Sequence, residues 1–112
     1  MMRLIRHPLV GRDLTALVDH IVEVTQGDYA AAARRLEDID DLLKDIAANP
    51  LSGTRLAPPL DGWLARHGGR GHRITIVFRT DRGRALIYIA LVAFGGRDWM
   101  AEGTLRRGFG PA

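Results

Sequence analysis

Residues 71–94 read Gly71-His72-Arg73-Ile74-Thr75-Ile76-Val77-Phe78-Arg79, then Thr80-Asp81-Arg82-Gly83-Arg84, then Ala85-Leu86-Ile87-Tyr88-Ile89-Ala90-Leu91-Val92-Ala93-Phe94. In the first part Ile74, Ile76 and Phe78 fall on one face while Arg73, Val77 and Arg79 fall on the other, the period-two pattern of a strand covered on one side. The last part has no polar face, which predicts a central strand with protein on both sides. Asp81-Arg82-Gly83 supplies turn chemistry, with Gly83 free to take a positive φ, so the two strands are read as an antiparallel hairpin. Gly95-Gly96-Arg97-Asp98-Trp99 ends the second strand and sets one more arginine at the rim of the sheet.

Ahead of this hairpin, Met2 to His7 is a short strand closed by Pro8, and its brevity suits a sheet edge. The spacing of Leu14, Leu17, Val18, Ile21 and Val22 predicts one helix, with Asp13 near its positive end. Gly27 leaves that helix and Asp28 caps the next. The second helix spans about residues 29–48, with the stripe Tyr29, Ala32, Leu36, Ile39, Leu43 and Ile46. The short link makes the two helices antiparallel. Asn49-Pro50 stops the second helix, because the residue before proline avoids the α region. Arg34 with Asp38, and Asp40 with Lys44, stand at i, i+4 and read as a solvated face. Residues 60–67 are read as the strand entering the sheet, with Trp63, Ala65 and His67 opposite Leu64 and Arg66. Gly103, Gly108, Gly110 and Pro111 break up residues 101–112, which are read as a loose tail. The predicted class is α+β, in the order β-α-α-β-β-β, with a helical hairpin on one face of a mainly antiparallel four-stranded sheet. Residues 1–100 make one domain.

Without cysteine, disulfides and thiolate metal sites are excluded, and a cytoplasmic setting is expected. His7, His20, His67 and His72 offer no i, i+4 pair on a helix, so no metal and no cofactor is expected. The start of the chain lacks a signal peptide's apolar run, and no later stretch is apolar enough to span a membrane. The net charge of +3 is unevenly spread: residues 48–112 hold ten basic and four acidic groups, whereas residues 28–47 hold three and six. The sheet end is therefore the basic end. Its basic groups are all arginine, whose planar fork suits phosphate and carboxylate. The sheet face away from the helices, or a groove beside it, is expected to stay open, with Arg66, His67, Arg70, His72, Arg73, Arg79 and Arg97 on or near it.

Five pieces in order resemble the RelE/ParE superfamily, the toxins of bacterial type II toxin–antitoxin modules often linked to plasmid stabilization. They are Arg12-Asp13-Leu14 opening the first helix, residues 31–36 with Ile39 in the second, Asn49-Pro50-Leu51-Ser52-Gly53 after it, Gly71-His72-Arg73-Ile74 at a strand start, and Gly95-Gly96-Arg97-Asp98-Trp99. The resemblance implies a growth-inhibiting toxin neutralised by an antitoxin, expected to be acidic, and acting on DNA gyrase or on ribosome-bound mRNA. It matches Arg73 and Arg97 to phosphate-binding positions of the nuclease branch, and Arg66 to a basic position on the preceding strand. RNA cleavage would use His72, Arg73 and Arg97, with His67 as the other histidine that could exchange a proton; phosphate or antitoxin binding would use Arg66, Arg70, Arg73 and Arg97. The nuclease branch usually places a Tyr or His shortly after the arginine matched by Arg97, and here Asp98, Trp99, Met100, Ala101 and Glu102 follow. Whether the chain is an enzyme stays open, and the missing proton donor tilts the reading toward a ParE-like, gyrase-directed mode. RelE-like cleavage is the alternative. A basic module binding RNA or protein without toxicity is a reading of another class, marked by steep salt dependence.

Overall fold

The computed structural model describes residues 2–95 and 98–110. β1 (Arg3–Arg6) leads into α1 (Val10–Val24) and α2 (Tyr29–Ala48). After them come β2 (Thr54–Arg55), β3 (Leu64–Gly68), β4 (Ile74–Asp81), β5 (Leu86–Phe94) and α3 (Trp99–Leu105). One sheet holds the strands in the order β1-β5-β4-β3-β2. β1 runs parallel to β5 and every other neighbouring pair is antiparallel. The α+β class and the helical hairpin on a mainly antiparallel sheet are as expected. The sheet has five strands rather than four, because the two-residue β2 is too short to carry a period.

The helical hairpin forms where its signals stand. At the end of α1, Gly27 N donates to Val22 O at 2.8 Å and Gln26 N to Glu23 O at 3.3 Å. Gln26 takes the left-handed conformation between them, with φ 57°. Asp28 caps α2 by accepting from Ala31 N at 2.9 Å. One core cluster then joins Leu17 and Ile21 of α1 with Ile39, Leu43 and Ile46 of α2, over Ile74, Ile76, Phe78, Ile87, Ile89 and Val92 of the sheet. The expected stripe is corrected at its start: Tyr29 is 70% and Leu36 37% exposed, and Leu42 is buried instead. Packing is concentrated late in α2, where Leu42 lies so close to Gly68 of β3 that an added Cβ there would sit 2.9 Å from Leu42 Cδ1.

β4 and β5 are the antiparallel hairpin that their sequence predicts. Gly83 does not supply the positive φ; Ala85 does, at 54°. Asp81 Oδ1 accepts from Arg84 N at 3.2 Å, so an aspartate side chain ties the turn together. The pairing steps from Phe78↔Ile89 to Val77↔Leu91, leaving Ala90 as an unpaired extra residue. This bulge turns both Ala90 and Leu91 toward the second face and returns Val92 to the helices. The run shows no polar face because both of its faces are packed in apolar clusters.

The second face is covered, contrary to the open face expected. Leu60, Trp63, Val77, Tyr88 and Leu91 form a second cluster there, with Trp99 and Phe109 packed against it. Residues 60–63 make a turn over the sheet rather than the first half of β3, with Trp63 N donating to Leu60 O at 3.0 Å. The tail is corrected as well: α3 reaches Leu105, and Asp98 caps it by accepting from Ala101 N at 3.2 Å. Gly103, read as a breaker, is buried where α3 meets Leu60; an added Cβ would lie 3.4 Å from Leu60 Cδ1.

Candidate anion-binding site

A single-turn 3-10 helix, Arg70–His72, links β3 to β4, with Arg70 as its first residue and Arg73 just after it. His72 sits at φ 55° with its N donating to Gly69 O at 3.1 Å. Arg73 is anchored through its backbone, its carbonyl accepting from Gly95 N at 3.0 Å. Both arginines line a cavity of about 200 Å³ that also takes His20 of α1, Arg34 and Arg35 of α2, and Phe94 of β5. Arg35 is paired with Asp38 at 3.1 Å. Arg34, Arg70 and Arg73 have no acidic partner among the described residues, and no carboxylate lines the cavity. Three uncompensated guanidinium groups beside an apolar wall can hold a phosphate or a carboxylate.

The structure does not bring all the expected site residues together. Arg66 points to the helix side, where its guanidinium pairs with the Asp45 carboxylate and donates to Ser52 Oγ at 2.7 Å. Asp45 and Arg35 are ten residues apart on α2, about 15 Å along its axis. Arg66 thus stands well away from Arg70 and Arg73. Arg97 lies outside the described residues. His72 is exposed on the connecting turn. His67 Nδ1 is 2.8 Å from Thr75 Oγ1, and its ring centroid is 6.0 Å from that of Trp99. The histidine in the cavity is His20, whose ring is 6.0 Å from that of Phe94. Local pattern could not have singled out His20, Arg34 or Arg35, because periodicity marks them only as the wet side of their helices.

Two further arginines have structural roles. Arg106 is buried and meets Asp13 through two bonds, Nη1 to Oδ2 at 2.7 Å and Nη2 to Oδ1 at 2.9 Å. The same pair completes an open strand edge. β1 leaves β5 after His7 N donates to Ile89 O. Beyond that point Arg106 Nη1 donates to Ala90 O at 3.0 Å and Asp13 Oδ2 accepts from Val92 N at 3.1 Å. Side chains from α1 and the segment after α3 thereby stand in for the strand that is missing. Arg79, expected on or near an open face, lies 4.9 Å from the Trp63 ring and 5.7 Å from the Tyr88 ring. It donates to Phe109 O at 2.6 Å. His7 sits beside this lock, its Nδ1 accepting from Leu9 N at 3.0 Å. Burial holds the His7 pKa below its ordinary value, with the nearby Arg106 charge adding to the effect.

No protein-family model and no curated protein sequence matches the chain. Among solved structures, the toxin–antitoxin complex RelBE2 from Mycobacterium tuberculosis contains a similar chain, with a TM-score of 0.58 and 18% identity over 83% of this chain and 96% of that one. The likeness establishes the fold: this chain shares the architecture of that chain of the complex. No helix among the described residues is long and apolar enough to cross a membrane.

Proposed function

We propose that the chain is the growth-inhibiting toxin of a type II toxin–antitoxin module. In this reading a cognate acidic antitoxin neutralises it, and DNA gyrase rather than ribosome-bound message is its target. The shared fold with a chain of the RelBE2 complex carries the toxin role and the antitoxin partner. The basic cavity around Arg34, Arg70 and Arg73 supports an acidic partner by charge complementarity. The preference for a non-hydrolytic mode rests on the tie between Arg66 and Asp45. Cleavage through the 2′-hydroxyl needs a proton acceptor, a proton donor and cations around one phosphate. With Arg66 held on the helix side and His67 engaged with Thr75, neither of these two residues joins the cations of the cavity.

RelE-like cleavage remains the second reading, favoured by the adjacent, exposed His72 and Arg73 on the turn before β4. Either target lies in the cytoplasm. Induced expression, with and without the neighbouring reading frame, separates the readings when supercoiling and translation are assayed in parallel. Growth arrest with loss of gyrase supercoiling and intact message is the expected outcome. Codon-specific cleavage that disappears in Arg73→Ala or His72→Ala would establish the nuclease instead. Salt-sensitive RNA binding without growth arrest would point to a non-toxic basic module.

A further inference from the structure

The cavity between the helical hairpin and the β3–β4 connection has apolar and aromatic lining that charge complementarity to an acidic antitoxin does not use. Part of its lining is cationic, with Arg34 from α2 and Arg70 and Arg73 from the connection. Most of the rest is apolar and aromatic, with Ile21 and Val24 of α1 and the half-buried Phe94, whose ring centroid is 6.0 Å from that of His20. A bare inorganic anion would use only the arginines. An apolar ligand would leave the arginines without a counter-charge. A ligand that satisfies both carries a dianionic group at one end and a flat, unsaturated ring at the other.

Size narrows the choice further. At about 200 Å³ the cavity is below the roughly 300–1,000 Å³ that encloses a whole drug-sized ligand, so a single nucleotide unit would sit in it with part of its sugar in solvent, and a run of several would not fit. The three arginines come from two separate segments, so they can surround a terminal phosphate from more than one direction, as arginine forks do. Arg35 is kept in place by Asp38 and adds positive potential at the cavity wall without being free to rotate into it.

We infer that this cavity binds a nucleoside 5′-monophosphate group, its phosphate held by Arg34, Arg70 and Arg73 and its base laid against Phe94 and His20. The group can be a free nucleotide or the phosphorylated 5′ end of an RNA strand, since both present the same chemistry. The inference rests on the cavity alone and stands or falls independently of gyrase or ribosome targeting.

Calorimetric titration of the intact protein with AMP, adenosine and inorganic phosphate tests it, repeated on Arg34→Gln, Arg70→Gln and Phe94→Leu. AMP is expected to bind saturably and at least about tenfold more tightly than either phosphate or adenosine. Each arginine variant should weaken AMP by about tenfold, the loss of one charge-assisted contact. Arg34 is exposed on its helix, so its replacement should leave the melting temperature unchanged and keep the test valid. Phe94→Leu should weaken AMP while leaving phosphate unaffected. Ring-proton shifts of His20 on adding AMP would place the ligand in this cavity. A 5′-phosphorylated hexaribonucleotide that binds as tightly as AMP identifies the RNA end as the source, and one that binds far more weakly identifies the free nucleotide. Absence of saturable AMP binding, or an affinity that Arg34→Gln leaves unchanged, overturns the inference.

Discussion

Asp13 and Arg106 show how much one buried pair can decide. Each group would be costly alone in this position, and together they also satisfy Ala90 O and Val92 N, which no strand reaches. Arg106→Ala is expected to destabilise the protein by about 3–5 kcal/mol, because the Asp13 carboxylate would be left buried without its partner. Against a total stability of about 5–15 kcal/mol that is a large loss, and denaturant titration measures it directly. The double variant Asp13→Leu with Arg106→Met should lose less than the sum of the single changes, yet fall short of the wild type, since the two backbone groups stay unpaired. Full additivity would mean that the pair is not coupled. His7 supplies the pH dependence of the same region. Its folded pKa lies below the ordinary 6.5, so the unfolded chain takes up the proton more readily. The stability it contributes is complete above pH 6.5 and is lost as pH falls from there through the lowered folded value. Protonation would also cost His7 Nδ1 its bond from Leu9 N. His7→Gln should flatten the slope of stability against pH in that window, as thermal melts in a buffer series would show.

At the scale of elements, α3 and the segment after it form a clamp on the second face of the sheet. Trp63 Nε1 donates to Arg107 O at 3.2 Å, Arg79 holds Phe109 O, and the Phe109 ring meets those of His7 at 5.0 Å and Tyr88 at 5.7 Å. Arg79→Met keeps the stem of the side chain but removes both the hydrogen bond and the charge over the two rings. Amide exchange in residues 99–107 should quicken by about tenfold, with exchange in β4 and β5 unchanged. Uniform acceleration throughout the protein would show instead that the clamp and the sheet open together. The β5 strand behaves differently, since Ile89 is fully enclosed between the helices and the sheet's neighbouring strands. Ile89→Asp places an unpaired charge there and is expected to abolish folding. A soluble, cooperatively melting variant would contradict this placement.

For the whole molecule the distribution of charge matters more than its sum. The uncompensated arginines include Arg70 and Arg73 at the sheet end and Arg34 on α2, while Asp38 and Asp45 of α2 are paired with Arg35 and Arg66. A complex with an acidic antitoxin should therefore bury Arg73, and its dissociation constant should rise with ionic strength. Arg73→Glu should slow association by about tenfold or more, which surface-plasmon measurements at two salt concentrations would detect. An interface that leaves Arg73 in open solvent would remove charge complementarity as the reason for partner choice.

The amino-acid sequence by itself determined the elements whose signals are local. Asp28 capped a helix, Asn49-Pro50 ended one, and Ile74, Ile76 and Phe78 marked the helix-facing side of a strand, because caps, breakers and periods act within a few residues of the chain. The tertiary structure alone decided what depended on residues far apart in sequence. Gly103 became a packing contact rather than a breaker because Leu60 lies beside it. Arg66 was withdrawn to the helix side by Asp45, 21 residues away, and Arg106 was buried by Asp13, 93 residues away. The fate of each arginine depended on which carboxylate the fold delivered to it, and a guanidinium looks the same in the sequence whether it is paired, buried or free.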